Sequence, residues 1–195
     1  MLAFTLIPPA LLATGRTRLL ITGGLFQDHA PTLFHMQHVL LPMLRQMGAD
    51  IELRMLQPGY VPKGQGLLEM QVSPLSEPLR PLILLEQGSI RALRGLALAS
   101  HLAEARVCQR MAERCTARLA RNGHPAQIET HDDTSAVPKG AALTVWAETS
   151  GGCRIGADRG PRRRRAAMRP PRPRNALRSA TAMGARRQPR VANGG

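Results

Sequence analysis

Two glycine-bearing turns restrict this chain more than any other feature: the pair Gly23-Gly24 and the run Gly59-Tyr60-Val61-Pro62-Lys63-Gly64-Gln65-Gly66. The second sits between two apolar stretches, where Pro fixes φ and Gly admits positive φ, so it is predicted to close into one tight hairpin. On one side Ile51, Leu53 and Met55 alternate with Glu52 and Arg54, the period of a half-buried strand. On the other, Leu67 to Val72 is its expected partner. Thr17 to Thr22 is predicted as a short strand ending at Gly23-Gly24. Between the turns, Leu33, Met36, Leu40, Met43 and Leu44 recur at helical spacing after Pro31 and stop at Gly48. Pro42 lies inside that helix and is expected to bend its last turn, because it removes a backbone donor. The apolar run from Leu2 to Ala13 has no basic leader, is interrupted by Pro8-Pro9, and is too short to span a bilayer. It reads as a buried helix.

Ser73 to Pro81, with Pro at three positions, reads as a linker. Beyond it, Ser89 to Ala99 is apolar enough for a strand, and Ala103 to Asn122 is predicted as a helix with Gly123 at its end. Shorter strands are expected at Gln127 to Glu129, Leu143 to Glu148 and Arg154 to Ala157. Charge then breaks the chain near Asp158. Up to that residue 15 Lys and Arg stand against all 13 acids, whereas the last 37 residues hold 12 Arg and no acid, so the high net charge belongs to the tail. Of those 37 residues, 28 are Arg, Ala, Pro or Gly, whose codon families begin with two G or C bases. That is the pattern of a GC-rich gene read out of frame, so a frameshift near Arg159 is expected; a genuine Arg-rich RNA-binding tail is the alternative. With few large apolar residues, the tail is expected to stay disordered and to bind nucleic acid without sequence preference. Three cysteines, Cys108, Cys115 and Cys153, form neither an even framework nor a CxxC pair, which points to reduced thiols.

The hairpin run, the Gly-Gly turn and the order of elements resemble the RNA 3'-terminal phosphate cyclase family. Its hairpin signature is a basic residue, Gly, two free positions, Pro, one free position, three glycines, one free position and an aliphatic. Gly59, Pro62, Gly64, Gly66 and Leu68 fit it, while Pro58 stands at the basic position and Gln65 at the middle glycine. The resemblance implies an α+β fold: a partial βαβαββ core repeat over residues 1–72, a linker over 73–81, a small thioredoxin-like insert domain over 82–157, and the basic tail over 158–195. It also implies a chain truncated at both ends. The activity implied is ATP-dependent conversion of an RNA 3'-phosphate to a 2',3'-cyclic phosphate through an adenylylated histidine, with ATP and Mg as cofactors, RNA 3' ends as partners and a cytoplasmic location. The family's nucleophilic His belongs to a C-terminal unit that would lie beyond residue 158, where this sequence has no His. No catalytic residue is therefore assigned, and an inactive product is expected. The alternative is a noncatalytic, cyclase-like protein that binds RNA or assists ribosome assembly.

Candidate contacts follow from charge and spacing. Lys63, between Pro62 and Gly64, can present a cation from a rigid turn whose backbone amides can also reach a phosphate. Arg106, Arg110, Arg114, Arg118 and Arg121 recur at three- and four-residue steps, a basic stripe able to follow an RNA backbone or to remain a solvated helix face. Phe4 occupies the position where the family places an ATP-contacting Gln, and Ala30-Pro31-Thr32 stands in place of Ala-Pro-Pro. Six histidines occur: His29, His35, His38, His101, His124 and His131. His35 and His38 are three apart on the predicted helix, but no acid or Cys accompanies them at ligand spacing, so surface or cap roles are expected. Asp132-Asp133 reads as a solvated turn rather than a metal site. No metal ligands are assigned.

Overall fold

Residues 2–27 and 30–159 are described by the computed structural model; the expectations for His29 and for the tail over 160–195 lie outside them. The first 72 residues run α1 (Leu2–Leu11), β1 (Thr17–Gly23), a central helix, β2 (Ile51–Gln57) and β3 (Gly66–Val72). The central helix has three consecutive pieces: α2 (Leu33–His35), a π segment (Met36–Leu40) and α3 (Leu41–Gln46). Strands β1, β3 and β2 form an antiparallel sheet with β3 in the middle, where Leu19 and Leu53 both face Met70. A second sheet follows, in the order β5-β4-β6-β7. It is built from β4 (Ile90–Ser100), β5 (Gln127–Asp133), β6 (Gly140–Thr149) and β7 (Arg154–Arg159). The crossover from β4 to its parallel neighbour β5 carries α4 (Val107–Arg121), while β6 and β7 add antiparallel.

The two faces of the second sheet do different work because side chains alternate along each strand. Ala97, Ala99, Ala141 and Leu143 pack with Cys108, Ala112 and Met111 of α4. Leu98 and Ala142 join the other core, in which Leu33, Phe34, Met36 and Leu41 of the central helix meet Ile51, Leu53, Leu68 and Met70 of the first sheet. The central helix is thus buried from two sides. Gly156 permits its approach to β7, since a Cβ there would come within 2.7 Å of both the His35 ring and Val39.

Several expectations change in detail. Pro42 does not simply bend the last turn: the helix widens into the π segment before it, and the Leu41 N–H reaches back to the Met36 carbonyl. Without an N–H, Pro42 leaves the His38 carbonyl one turn back without its helical donor. Arg154 Nη1 donates to that carbonyl at 2.9 Å. The helix predicted from Ala103 begins at Val107, because Arg106 takes a left-handed conformation, φ 48°, that the helix cannot continue through. Parallel pairing to residues 94–100 extends β5 well past Glu129. Only one face of α1 is buried; Ala3, Ile7, Ala10 and Leu11 point inward, whereas Leu2, Phe4 and Leu12 are exposed. The Pro-rich segment after β3 has no regular structure, yet Leu75 N–H bonds the Leu11 carbonyl and Arg80 N–H the Met47 carbonyl, which pins it to the first 72 residues. Among the described residues no helix is long and apolar enough to cross a membrane.

The close approach at Gly156 gives a direct check. Gly156→Ala forces a methyl into the His35–Val39 contact and should cost about 1–3 kcal/mol, read as a lower urea midpoint. Gly15→Ala, where a Cβ meets nothing within 4 Å, should leave the midpoint nearly unchanged.

Candidate functional site

The two glycine turns meet. Leu25 N–H and Phe26 N–H both donate to the Gly59 carbonyl, at 2.9 and 3.2 Å, so the loop after Gly23-Gly24 is laced to the base of the hairpin. A Cβ on Gly59 would lie 2.2 Å from Gly66 N and 2.6 Å from the Gly23 carbonyl oxygen, which leaves room for glycine alone. Gly64 has φ +71° and packs on the Gly23-Gly24 peptide. Beside this junction lies a cavity of about 240 Å³, walled by Ala3 of α1, Thr22, Gly23, Gly24, Gln27 and Pro31 among others. Its described wall is apolar or neutral, with no ionisable side chain.

Two buried polar ties hold the junction against the second sheet. Tyr60, wholly buried, stacks on Phe26 with ring centroids 5.5 Å apart and packs where a Cβ on Gly140 would clash. The Ser100 hydroxyl donates to Asp133 at 2.7 Å, so the Tyr60 hydroxyl, 2.8 Å away, must be the donor to Ser100. Burial pushes the Tyr60 phenol up to about 12. For Asp133, burial alone would raise the carboxyl, but hydrogen bonds from Ser135, Ser100 and the Ala136 and Ser135 amides outweigh it and hold the group below its usual range. Asp133 therefore organises a turn and anchors the Tyr60 tie, a structural use of the acid pair rather than a freely solvated one.

The second tie is at the start of the central helix. Thr32 caps α2 by accepting from His35 N–H at 3.1 Å. Its hydroxyl donates to one oxygen of Asp158 at 3.0 Å and its backbone N–H to the other at 3.1 Å. Because that hydroxyl proton is committed, Thr144, 3.0 Å away, must donate to Thr32. A carboxylate from β7 thus sits against the N-terminus of a helix 126 residues earlier, where unpaired amides and the helix dipole favour it.

The candidate residues are spread out. Lys63 is exposed at the hairpin tip. Arg110 and Arg114 are exposed on α4 and continue into Arg118 and Arg121, but Arg106 stands before the helix in its left-handed conformation, so the stripe starts at Arg110. The hairpin packs on one face of the second sheet and α4 on the other, so Lys63 and the arginines are not brought together. Phe4 is half exposed on α1, while the neighbouring Leu2 and Ala3 line the cavity. His35 and His38 are half-buried rather than freely exposed. The His35 ring lies 3.1 Å from Asp158, and His38 stacks on Trp146 with centroids 4.1 Å apart. Sequence reasoning passed over Thr32, whose place between Pro31 and an apolar-periodic run is an N-cap signal. Nothing local marks Asp158, Tyr60 or Trp146, whose partners are distant in sequence.

Comparison with known proteins matches this sequence to a family. The model of the RNA 3'-terminal phosphate cyclase family matches residues 1–157. The chain is 32% identical to an RNA 3'-terminal phosphate cyclase of Nostoc punctiforme over 145 residues, 74% of this chain and 40% of that protein. A cyclase of the same name from Methanothermobacter thermautotrophicus is 32% identical over 143 residues, 73% of this chain and 41% of the relative. One from Pseudomonas fluorescens is 39% identical over 115 residues, 59% and 33% respectively. The chain belongs to the RNA 3'-terminal phosphate cyclase family. It spans about two fifths of the length of the first two of these curated relatives.

The family's middle hairpin glycine now has a physical reason. Gln65, which replaces it, is held at φ 55°, where an L side chain costs roughly 1–2 kcal/mol. Part of that is offset by the extra freedom Gly gives the unfolded chain. Gln65→Gly should raise stability by about 0.5–1 kcal/mol, and an unchanged or lower thermal midpoint would contradict the strain.

Proposed function

We propose that this chain carries part of the frame for the ATP-dependent conversion of an RNA 3'-phosphate to a 2',3'-cyclic phosphate in the cytoplasm, and is inactive by itself. Residues 1–72 serve as a partial core repeat, residues 73–81 as a linker and residues 82–157 as an insert of thioredoxin-like arrangement. One observation carries the reading: the hairpin glycines lock onto the Gly23-Gly24 turn beside a cavity, within a segment that matches the cyclase family throughout.

The cavity wall sets what this segment can contribute. Leu25, Leu33, Met36 and Pro31 offer apolar surface to a base or sugar, and the glycine turn admits close approach. No described residue in the wall carries a charge to offset a triphosphate. Among the described residues no group of three His, Cys, Asp or Glu is placed to share a metal. No described histidine lines the cavity: the His35 ring lies beside Asp158 and His38 stacks on Trp146. Within the described residues the segment is therefore a wall and a frame rather than a source of nucleophile.

The noncatalytic RNA-binding reading is supported by a separate feature, the exposed Arg110, Arg114, Arg118 and Arg121 on α4, which form no ion pair among the described residues. Incubating the purified 195-residue chain with α-labelled ATP and magnesium, and separately with a 3'-phosphorylated oligoribonucleotide, tests both readings. The expected result is no covalent adenylate and no cyclic product from the chain alone. Covalent AMP that disappears in His35→Ala or His38→Ala would contradict the assignment of both rings to structure. RNA binding that weakens steeply with salt, and further in an Arg110→Ala/Arg114→Ala variant, would favour the noncatalytic reading.

A further inference from the structure

A second cleft, away from the glycine turns, opens where the π segment of the central helix meets β4, β5 and β6. It measures about 320 Å³ and includes His38, Arg94, Glu129, Trp146, Glu148 and Arg154 in its wall. Three observations distinguish it from a mere gap between packed elements. Trp146 is 6% exposed, and its indole Nε1 is buried without an acceptor among the described residues. A buried N–H left unpaired costs about 1–3 kcal/mol, so the protein gains when an acceptor enters. The floor is aromatic: His38 lies flat on Trp146, 4° from parallel, and burial and the nearby Arg154 lower the imidazole below its ordinary value. Lastly, the charges divide into a spent pair and a free pair. Arg154 is committed to Glu148 at 3.2 Å and to the His38 carbonyl. Arg94, directly across the ladder from Trp146, is exposed and forms no ion pair among the described residues. Glu129, across the ladder from Leu96, is 79% exposed, and its one ion-pair partner among the described residues is the His131 ring at 3.9 Å.

We propose that this cleft binds a guanine base. An aromatic floor takes a planar heterocycle, the Arg94 fork matches the paired acceptors O6 and N7, and the Glu129 carboxylate accepts from the N1–H and N2–H edge. The indole N–H supplies one further donor for a ring or sugar acceptor. Adenine offers N6–H₂ beside N7, and so sets a donor against the arginine. The same base can come as a free nucleotide or as a base turned out of single-stranded RNA, and the cleft's chemistry is common to both.

Trp146 is the only tryptophan in the chain, so its fluorescence reports this cleft alone. Titrating the full chain with guanosine, adenosine, cytidine and uridine 5'-monophosphates should give a saturable change with the first. Adenosine should be weaker by at least roughly tenfold, since a correct bidentate contact discriminates by about that factor or more. Arg94→Ala and Glu129→Gln, both at exposed positions, should each weaken the guanosine response by roughly tenfold without shifting the circular dichroism melt. A parallel arm compares pentamer oligoribonucleotides with and without one guanine. Tighter binding by the guanine pentamer than by the mononucleotide identifies RNA as the source; tighter binding by the mononucleotide identifies a free nucleotide. No saturable change up to millimolar guanosine monophosphate, equal responses to all four nucleotides, or full binding by Arg94→Ala would overturn the assignment. The readout requires neither ATP nor cyclisation, so it stands apart from the cyclase reading.

Discussion

The Asp158 carboxylate on the amide and hydroxyl of Thr32 is the contact on which the arrangement of the two sheets depends. It joins the last described strand to the first turn of the central helix and satisfies donors that would otherwise be buried without partners. Hydrogen bonds to a charged group are worth about 1.5–3 kcal/mol each, and an orphaned buried donor costs a comparable amount. The tie is placed where it controls most: Thr32 is fully buried and caps the helix, Thr144 backs it from β6, and Gly156, two residues before Asp158, lets the helix approach. Tyr60, Ser100 and Asp133 repeat the device at the hairpin. Hydrophobic burial supplies the attraction between the sheets, and these two polar chains fix their register.

Much of the first 72 residues was legible from periodicity and punctuation. The alternation of Ile51, Leu53 and Met55, the glycine turns and the helical spacing from Leu33 are local signals, and β2, β3 and the central helix follow them. What was hidden had non-local causes. Pro42 read as a bend, whereas the carbonyl it orphans is served by Arg154, 116 residues away, and the helix yields by a π segment instead. Arg106 fitted the basic stripe by spacing until the backbone placed it in a left-handed turn before the helix. His35 and His38 looked like surface residues because their partners, Asp158 and Trp146, lie on strands that sequence spacing cannot bring near.

Legibility of the candidate site was similarly divided. The hairpin glycines announced themselves, and their reason emerged only as contacts: Gly59 against Gly66 and Gly23, Gly64 against the Gly-Gly peptide. Departures from the family pattern proved unequal. Gln65 carries strain at a position that wants glycine, while Thr32, standing for a proline, builds the helix cap and the link to Asp158. One departure is a cost in place, the other a structural part.

The two sheets contribute side chains to one core, which is expected to unfold as one unit. The chain reports on both sides with single intrinsic probes, Tyr60 in the hairpin and Trp146 in the second sheet. Urea denaturation followed separately by tyrosine and tryptophan emission should give coincident transitions in the full chain, as a two-state unit requires, and in Asp158→Asn both should move together to lower urea. Two well-separated transitions in the unsubstituted chain, or an Asp158→Asn midpoint equal to the parent's, would contradict the account.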